Sequence, residues 1–479
     1  MNKLPKEVEE GNIEYKRMLC NLSRYRITQL ESQMKWRINE GNGTAIYLIG
    51  VDDDGTPFKL NSKKKKESFK NIKKIAKNIN AYIESINFKN DYHEVLIKNI
   101  NKNINYYEKR IAFLGESMVG KSTLISIITK NLTDDGKGSA RLSLFNHKHE
   151  MFSGLTSSIS IQYYDYDNSD KNKKIVLVDL PGNDKYKKTK YYGLLSFNIE
   201  LVVYVIDNST NMANINESRQ ICDFLEIPIL FVINKTDIYD YIEIKKELSL
   251  DTIDVSCVDL TNIDLLKNKL ADNSIYINKN NDYIDSSHFL LEDDIIFQIN
   301  DIYYITEIGI IVSGILIAGE INKKTKMKFG PLENNAFIDI NIISIHCHQI
   351  AYDSLENDHM ATIVIKFKNT ECDIKEILSK YSKNIYLSNY NLSIYNEVDC
   401  KITLLSHPTQ LKNGHKIQLY FRNIIVECAI INIKNNDRII TNSSELCKIQ
   451  FSKPCYLRNH EKIIFDDGVI KGFGFIVLV

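Results

Sequence analysis

Eight consecutive residues, Gly115-Glu116-Ser117-Met118-Val119-Gly120-Lys121-Ser122, carry the pattern GxxxxGK[ST], and that combination handles phosphate. The two glycines let a loop turn tightly with its N–H groups pointing inward at the anion. Lys121 supplies a cation for the outer phosphates, and the Ser122 hydroxyl can ligate Mg²⁺. Thr123 continues the run into a helix, whose N-terminus adds partial positive charge. The motif works only between a strand and a helix. Residues 111–114 read as the strand and 121–130 as the helix.

Two further loops follow in chain order. Asp179-Leu180-Pro181-Gly182 closes the apolar run 175–178. Asp179 can hold Mg²⁺ through water, and the Gly182 N–H can sense a terminal phosphate; alone, such a tetrapeptide is a common strand-end turn. Asn234-Lys235-Thr236-Asp237 follows the apolar run 229–233. A carboxylate at Asp237 can accept from both N1–H and the 2-amine of guanine, whereas adenine lacks that amine and leaves it unpaired. The Lys235 stem can lie along the base, and Asn234 belongs to the same loop; taken alone, the tetrapeptide is equally a helix cap. Val255-Ser256-Cys257 ends the next strand and suits a backbone contact to guanine O6, or is an ordinary strand end. The ligand set so read is GTP or GDP with Mg²⁺.

The elements that must position these loops are short apolar strands (111–114, 175–178, 201–206, 229–233, 252–255) alternating with helical segments. That alternation predicts a mostly parallel, doubly wound sheet covered on both faces, an α/β P-loop domain. Beyond about residue 283 the helices give way to β-rich runs (295–299, 308–318, 338–345, 361–367, 401–405, 424–433, 473–479), which predict two β-barrels. Within them 308–318 reads as two short strands around Gly314. Before residue 110 lies a small α/β module: a helix over 12–39 ended by Gly41, a strand over 44–50, a helix with Phe69, Ile72, Ile75, Ala76, Ile79 and Ile83 on one face, and a strand over 93–100. The expected division is 1–106, 107–280, 281–391 and 392–479.

Composition narrows the classes. Acidic and basic residues balance at 61 each, so no whole-molecule field draws the chain onto nucleic acid or lipid. The longest weakly polar stretch, 308–319, is too short to cross a bilayer. The first eleven residues are charged and form no secretory signal. Nine scattered cysteines without a CxxC pair point to reduced, buried thiols and a cytoplasmic protein, expected as a monomer off the membrane. His147 with His149, and His346 with His348, are spaced to share a strand face, as metal ligands or as ordinary polar positions. Lys63–Lys66 with Lys70, Lys73, Lys74 and Lys77 form either a solvated helix face or a contact for RNA phosphates. The sole tryptophan, Trp36, is expected in the core.

With these motifs in hand, the chain resembles GTPases of the translation-factor superfamily, the group of elongation factors Tu and 1-alpha, and more narrowly the GTP-binding protein 1 and 2 subfamily. The matching segments are 10–19 (EGNIEYKRML), 33–40 (QMKWRINE), 49–56 (IGVDDDGT) and, most distinctive, 135–158 (DGKGSARLSLFNHKHEMFSGLTSS). His407-Pro408-Thr409 and Lys471-Gly472-Phe473-Gly474 resemble the third domain of elongation factors. The resemblance implies a GTPase domain followed by two barrels, a GTP/GDP cycle at the ribosome, and aminoacyl-tRNA or other RNA as partner. It assigns Thr156 as the switch threonine that ligands Mg²⁺ and contacts the γ-phosphate. The catalytic set it implies is Lys121, Thr156, Gly182 and the residue after Gly182. There the family carries a histidine that orients the attacking water, and this chain has Asn183; the subfamily arginine is replaced by Leu155. An amide cannot take up a proton, so three readings stand: a translational GTPase, slow or partner-dependent; a GTP-binding switch or scaffold with negligible hydrolysis; and an RNA-binding module that the nucleotide props.

Overall fold

The computed structural model describes the chain except residues 1–2, 9, 42, 80, 90, 100–105, 146–149, 152–154, 165–172, 242–244, 247, 249–251, 277–293, 307, 333–334, 349, 369–383, 406–409, 435–437, 442, 468–469 and 479. Two compact units result, Met1–Asn103 with Gln349–Asp353, and Ile104–His348 with Ser354–Val479.

The first unit runs β1 (Ile13–Lys16), α1 (Arg24–Glu40), β2 (Thr44–Ile49), α2 (Ser62–Asn78), β3 (Ala81–Lys89) and β4 (Tyr92–Asn99). Its sheet has the order β1-β2-β4-β3, with β1 and β2 parallel. Leu30, Met34 and Ile38 of α1 and Ile72, Ile75 and Ala76 of α2 pack on Tyr47, Ile49, Val95 and Ile97. The segment 12–39 is therefore not one helix. Asn21 adopts a positive φ of 53°, and Ser23 caps α1 by accepting from the Arg26 N–H at 3.2 Å. Upstream, buried Glu14 on β1 accepts from Arg37 Nε at 2.6 Å. Likewise α2 stops at Asn78, which leaves Ile83 on β3. Trp36 lies on α1 but is 41% exposed, with the Arg37 guanidinium 4.7 Å above its ring, so it is not a core residue.

The second unit begins with β5 (Tyr107–Leu114), α3 (Lys121–Lys130), β6 (Ser160–Tyr164), β7 (Lys173–Asp179), α4 (Lys187–Ser196), β8 (Leu201–Ile206), α5 (Met212–Leu225), β9 (Ile229–Ile233), β10 (Thr252–Asp254) and α6 (Ile263–Ala271). The sheet order is β10-β9-β8-β5-β7-β6, parallel except for the edge strand β6. Alternation along β5 decides the two faces. Ile111 and Phe113 pack with Leu124 and Ile128 of α3 and Leu266 of α6, while Ala112 and Leu114 pack with Leu194 of α4 and Ile221 of α5.

Two closed barrels follow. In the first, Met327–Gly330, Tyr386–Ser388, Ile296–Ile305, Gly309–Ala318, Met360–Phe367 and Ile338–Cys347 pair in that order, and pairing of the last with Met327–Gly330 closes the ring. In the second, Ile394–Leu404, Ser444–Tyr456, Ile424–Ile433, Lys416–Phe421, Lys462–Asp466 and Lys471–Val477 close directly. Gly309–Ala318 is one strand, not two broken at Gly314. Gly314 serves close approach: a Cβ there would lie 1.8 Å from the Gln298 carbonyl oxygen, beside the bulge between Ile299 and Asp301.

Both barrels are anchored to the α/β sheet. Fully buried Arg110 on β5 donates to Asp358 Oδ1 at 2.5 Å in the first barrel and to Glu108 Oε2 at 3.3 Å. Against the second barrel, Lys187 reaches Asp466 at 2.7 Å, Lys471 reaches Glu217 at 2.6 Å, and Phe224 stacks on Phe473 at 4.3 Å. Among the described residues no helix is long and apolar enough to cross a membrane. The eight described cysteines are free, all buried except half-buried Cys20; Cys372 lies outside the described residues.

Candidate functional site

Because β5, β7, β8, β9 and β10 are parallel, the loops that follow them emerge at one edge of the sheet, where ligands of open α/β folds bind. The phosphate loop turns on Gly115 (φ 132°) and Gly120 (φ 101°), values open to glycine at little cost. Met118, between them, also has positive φ (66°) and is exposed. Lys121 is buried, and its Nζ donates to the carbonyls of Gly115 at 2.9 Å and Glu116 at 2.6 Å. Burial pushes its amine down to about 8, against the attraction of Asp179.

Ser122, at the start of α3, donates to Asp179 Oδ2 at 2.5 Å, and its Oγ lies 2.9 Å from Thr156 Oγ1. Burial raises the Asp179 carboxyl to about 6, with the Ser122 bond and Lys121 pulling the other way. Its Oδ1 is buried without a hydrogen-bond partner. Three convergent oxygens, one of them on a carboxylate with an orphaned atom, form a donor set that fits Mg²⁺. Gly182 closes the cleft from the β7 side: a Cβ there would lie 2.5 Å from the carbonyl oxygens of Gly115 and Glu116 and from Lys121 Nζ. Asn183 is spent locally, its Oδ1 capping the turn Asp184–Tyr186 by accepting from the Lys185 N–H at 2.9 Å. Ser117, Gly120, Thr123 and Leu155 line the same cleft.

Asn234 joins the phosphate loop to the base loop. It is buried, and its Nδ2 donates to the Val119 carbonyl at 2.9 Å; a Cβ on Gly120 would lie 2.2 Å from that nitrogen. Its own carbonyl accepts from the Tyr241 hydroxyl at 2.8 Å. Lys235 (φ 64°) pairs with Asp207 Oδ2 at 2.6 Å. Burial would raise the Asp207 carboxyl, but Lys235 and Ser209 outweigh it and hold it below the usual range. Thr236 donates its hydroxyl to Val255 O at 2.9 Å, binding β9's loop to β10's. Asp237 is exposed. Ser256 Oγ accepts from the N–H groups of Val258 and Asp259, and burial pushes the neighbouring Cys257 thiol up to about 12.

Three features escaped the sequence reading. Asp207 aligns Lys235, and the only signal for it is a carboxylate at the end of β8. Glu116 faces away from the phosphate cleft, its Oε1 accepting from Asn211 N and Asn214 Nδ2 at 2.8 Å. Arg141 lines the cleft with Lys121, Thr156 and Gly182, and nothing in its neighbours marks it out. The paired histidines do not converge on a metal: His346 contacts Ser344 Oγ, and His348 contacts Glu108 Oε1, each at 2.9 Å. Among the described residues no cluster suits a metal through three His, Cys, Asp or Glu side chains. His147, His149, Ser153, Gly154, His407, Pro408 and Thr409 lie outside the described residues.

With Lys121, Ser122, Asp179, Thr156 and Gly182 in one cleft tied to the Asn234 loop, residues 108–289 match the family model of the elongation factor Tu GTP binding domain. That segment is thus similar to a GTP-binding domain of the elongation factor Tu type. Over 540 aligned residues it is 27% identical to GTP-binding protein 2 of Mus musculus, covering 99% of this chain and 88% of that one. It is 25% identical over 526 residues to GTP-binding protein 1 of Xenopus laevis, covering 96% and 77%. In fold, the GTP-binding domain and barrels resemble the GTP-bound Ski7 GTPase-like domain of S. cerevisiae. The TM-score is 0.62 and the identity 15%, over 78% of this chain and 98% of that one.

Proposed function

We propose that the protein is a translational-type GTPase that binds GTP and GDP with Mg²⁺ and cycles between the two states at the ribosome, with aminoacyl-tRNA or other RNA as partner. The observation that carries this is the convergence of Lys121, Ser122, Asp179, Thr156 and Gly182, with Asn234 bridging to the base loop. In this reading Gly115 to Thr123 enclose the phosphates, Lys121 reaches the β- and γ-oxygens, and Ser122, Thr156 and Asp179 hold the metal. Mg²⁺ when bound neutralises charge on the phosphate oxygens. Asp237 accepts from guanine, with Lys235 along the ring and Ser256-Cys257 at O6. The chain divides functionally into 1–106, 107–280, 281–391 and 392–479, acting as a cytoplasmic monomer. RNA contact draws support from α2, whose lysines at positions 63–66 crowd a helix N-terminus with no acidic residue in its first turn, against the macrodipole.

One observation favours a second reading, a GTP-binding switch with negligible hydrolysis. The Asn183 carbonyl is committed to its own turn, and an amide cannot accept the proton of an attacking water. Turnover of purified protein with and without ribosomes, beside Asn183→His, separates the two. Ribosome-stimulated turnover in the wild type supports the first reading. Background turnover in both conditions that rises by about 10²–10⁴ in the histidine variant supports the second. Equal affinity for ATP and GTP defeats both.

A further inference from the structure

We infer that Arg141 is a cis-acting arginine for the γ-phosphoryl group of bound GTP, a role resting on the GTPase reading above. The residue sits on the turn Ala140–Ser143, which is pinned from three sides. Asp134 accepts from the N–H groups of Gly136, Gly138 and Ala140 at 3.0 to 3.2 Å. Lys130 at the end of α3 donates to the Ser143 carbonyl at 2.7 Å, and Ala140 and Leu144 are buried. From this platform Arg141 enters the cleft that holds Lys121, Thr156 and Gly182.

Its guanidinium lies against Gly138, where a Cβ would come within 2.5 Å of Nε and 2.7 Å of Cζ, so glycine there makes room for it. The Nε is buried without a hydrogen-bond partner, and among the described residues the guanidinium makes no ion pair. Arg141 as a whole is half-buried, and the buried arginines are treated differently: Arg37 meets Glu14, Arg110 meets Asp358, and Arg422 meets Glu461. An unpaired, fork-shaped donor in a phosphate cleft is matched to an acceptor that comes with the ligand.

During hydrolysis a water oxygen forms a bond to the γ-phosphorus as the bond from phosphorus to the bridging oxygen breaks. The bonding pair stays with the β-phosphate of GDP, and the water proton ends on the product phosphate. Charge grows on the bridging and γ-oxygens, where a guanidinium is most effective. That electrostatic help needs no proton acceptor, and so suits a site with Asn183 and Leu155 where the family has histidine and arginine.

The test uses full-length wild type, Arg141→Ala and Arg141→Lys, measuring affinity for GTP and GDP and single-turnover hydrolysis, with folding followed by circular dichroism. The expected result is a hydrolysis rate lower by about 10³-fold or more in Arg141→Ala. The GTP-over-GDP preference falls at least about tenfold with GDP affinity unchanged, Arg141→Lys recovers part of each, and added guanidinium ion raises turnover of Arg141→Ala but not of wild type. Where wild-type turnover sits at background, the nucleotide-preference arm decides alone. An Arg141→Ala protein with wild-type rate and preference overturns the inference. So does equal loss of GTP and GDP affinity with a lower melting temperature, which marks a structural role. A wild type that binds no guanine nucleotide overturns the GTPase reading itself, and this inference with it.

Discussion

Gly182 is a narrow point of the site, with two carbonyl oxygens and an ammonium where its side chain would be. Gly182→Ala must move either the phosphate loop or Lys121. Overpacking of this kind destabilises the folded protein by about 1–3 kcal/mol, so the melting temperature falls and GTP binding weakens with the displaced loop, checked by thermal denaturation and fluorescent-nucleotide titration. Asp207 acts at one remove, through Lys235. Asp207→Ala frees the Lys235 stem and weakens GTP and GDP alike by about tenfold or more, the worth of one charge-assisted bond; a selective loss of GTP would refute that role. At this scale the sequence was readable wherever chemistry is packed into contiguous motifs, as at 115–122, 179–182 and 234–237. Asp207 and Arg141 were not readable, since Lys235 and the phosphate cleft are brought near them only by folding.

Elements were legible in proportion to their apolar continuity. The helix at 121–130 and the strands at 201–206 and 229–233 appear with their expected bounds, because each is buried on both sides. The edge strands Ser160–Tyr164 and Ala81–Lys89 were missed: each is half solvated and its polar residues break the pattern. On the neighbouring β4, His93 packs between Phe69 and Phe88 at 5.3 and 4.9 Å, and burial with the nearby Lys65 charge holds its pKa below the usual 6.5. The unfolded chain therefore binds the proton more readily than the folded one. Stability of the first unit is full above about pH 6.5 and declines as pH falls toward the depressed value. His93→Leu should flatten that decline in urea titrations run at pH 7 and pH 5; an unchanged slope would count against it. In the first barrel, Gly314→Ala forces apart strands that touch through the Gln298 carbonyl, and should lose about 3 kcal/mol or more in chemical denaturation.

For the whole molecule, the shift from α/β to all-β and the two barrels were visible in the sequence. The strand order within each barrel and its anchoring to the sheet were not, since anchoring depends on contacts as far apart as Arg110 and Asp358. Arg110 is the clearest case: its side chain is fully buried, and Asp358 lies 2.5 Å away across the junction with the first barrel. Arg110→Ala removes the guanidinium shared by Glu108, Glu200 and Asp358, leaving Glu200 with Lys109 at 3.5 Å and Glu108 with His348, and should cost about 3–5 kcal/mol, seen as a lower denaturation midpoint. Breaking a surface pair such as Lys3–Asp54, screened by solvent, should by contrast leave the midpoint nearly unchanged. The cysteines give the molecule a built-in reporter. Only thiolates react with alkylating dyes, and burial holds Cys222, Cys257, Cys447 and Cys455 up to about 12. Half-buried Cys20 is the accessible described position. Among the eight described thiols a maleimide fluorophore would thus mark Cys20 of the first unit preferentially, and mass spectrometry of further modification under rising denaturant would time the opening of sheet and barrels residue by residue.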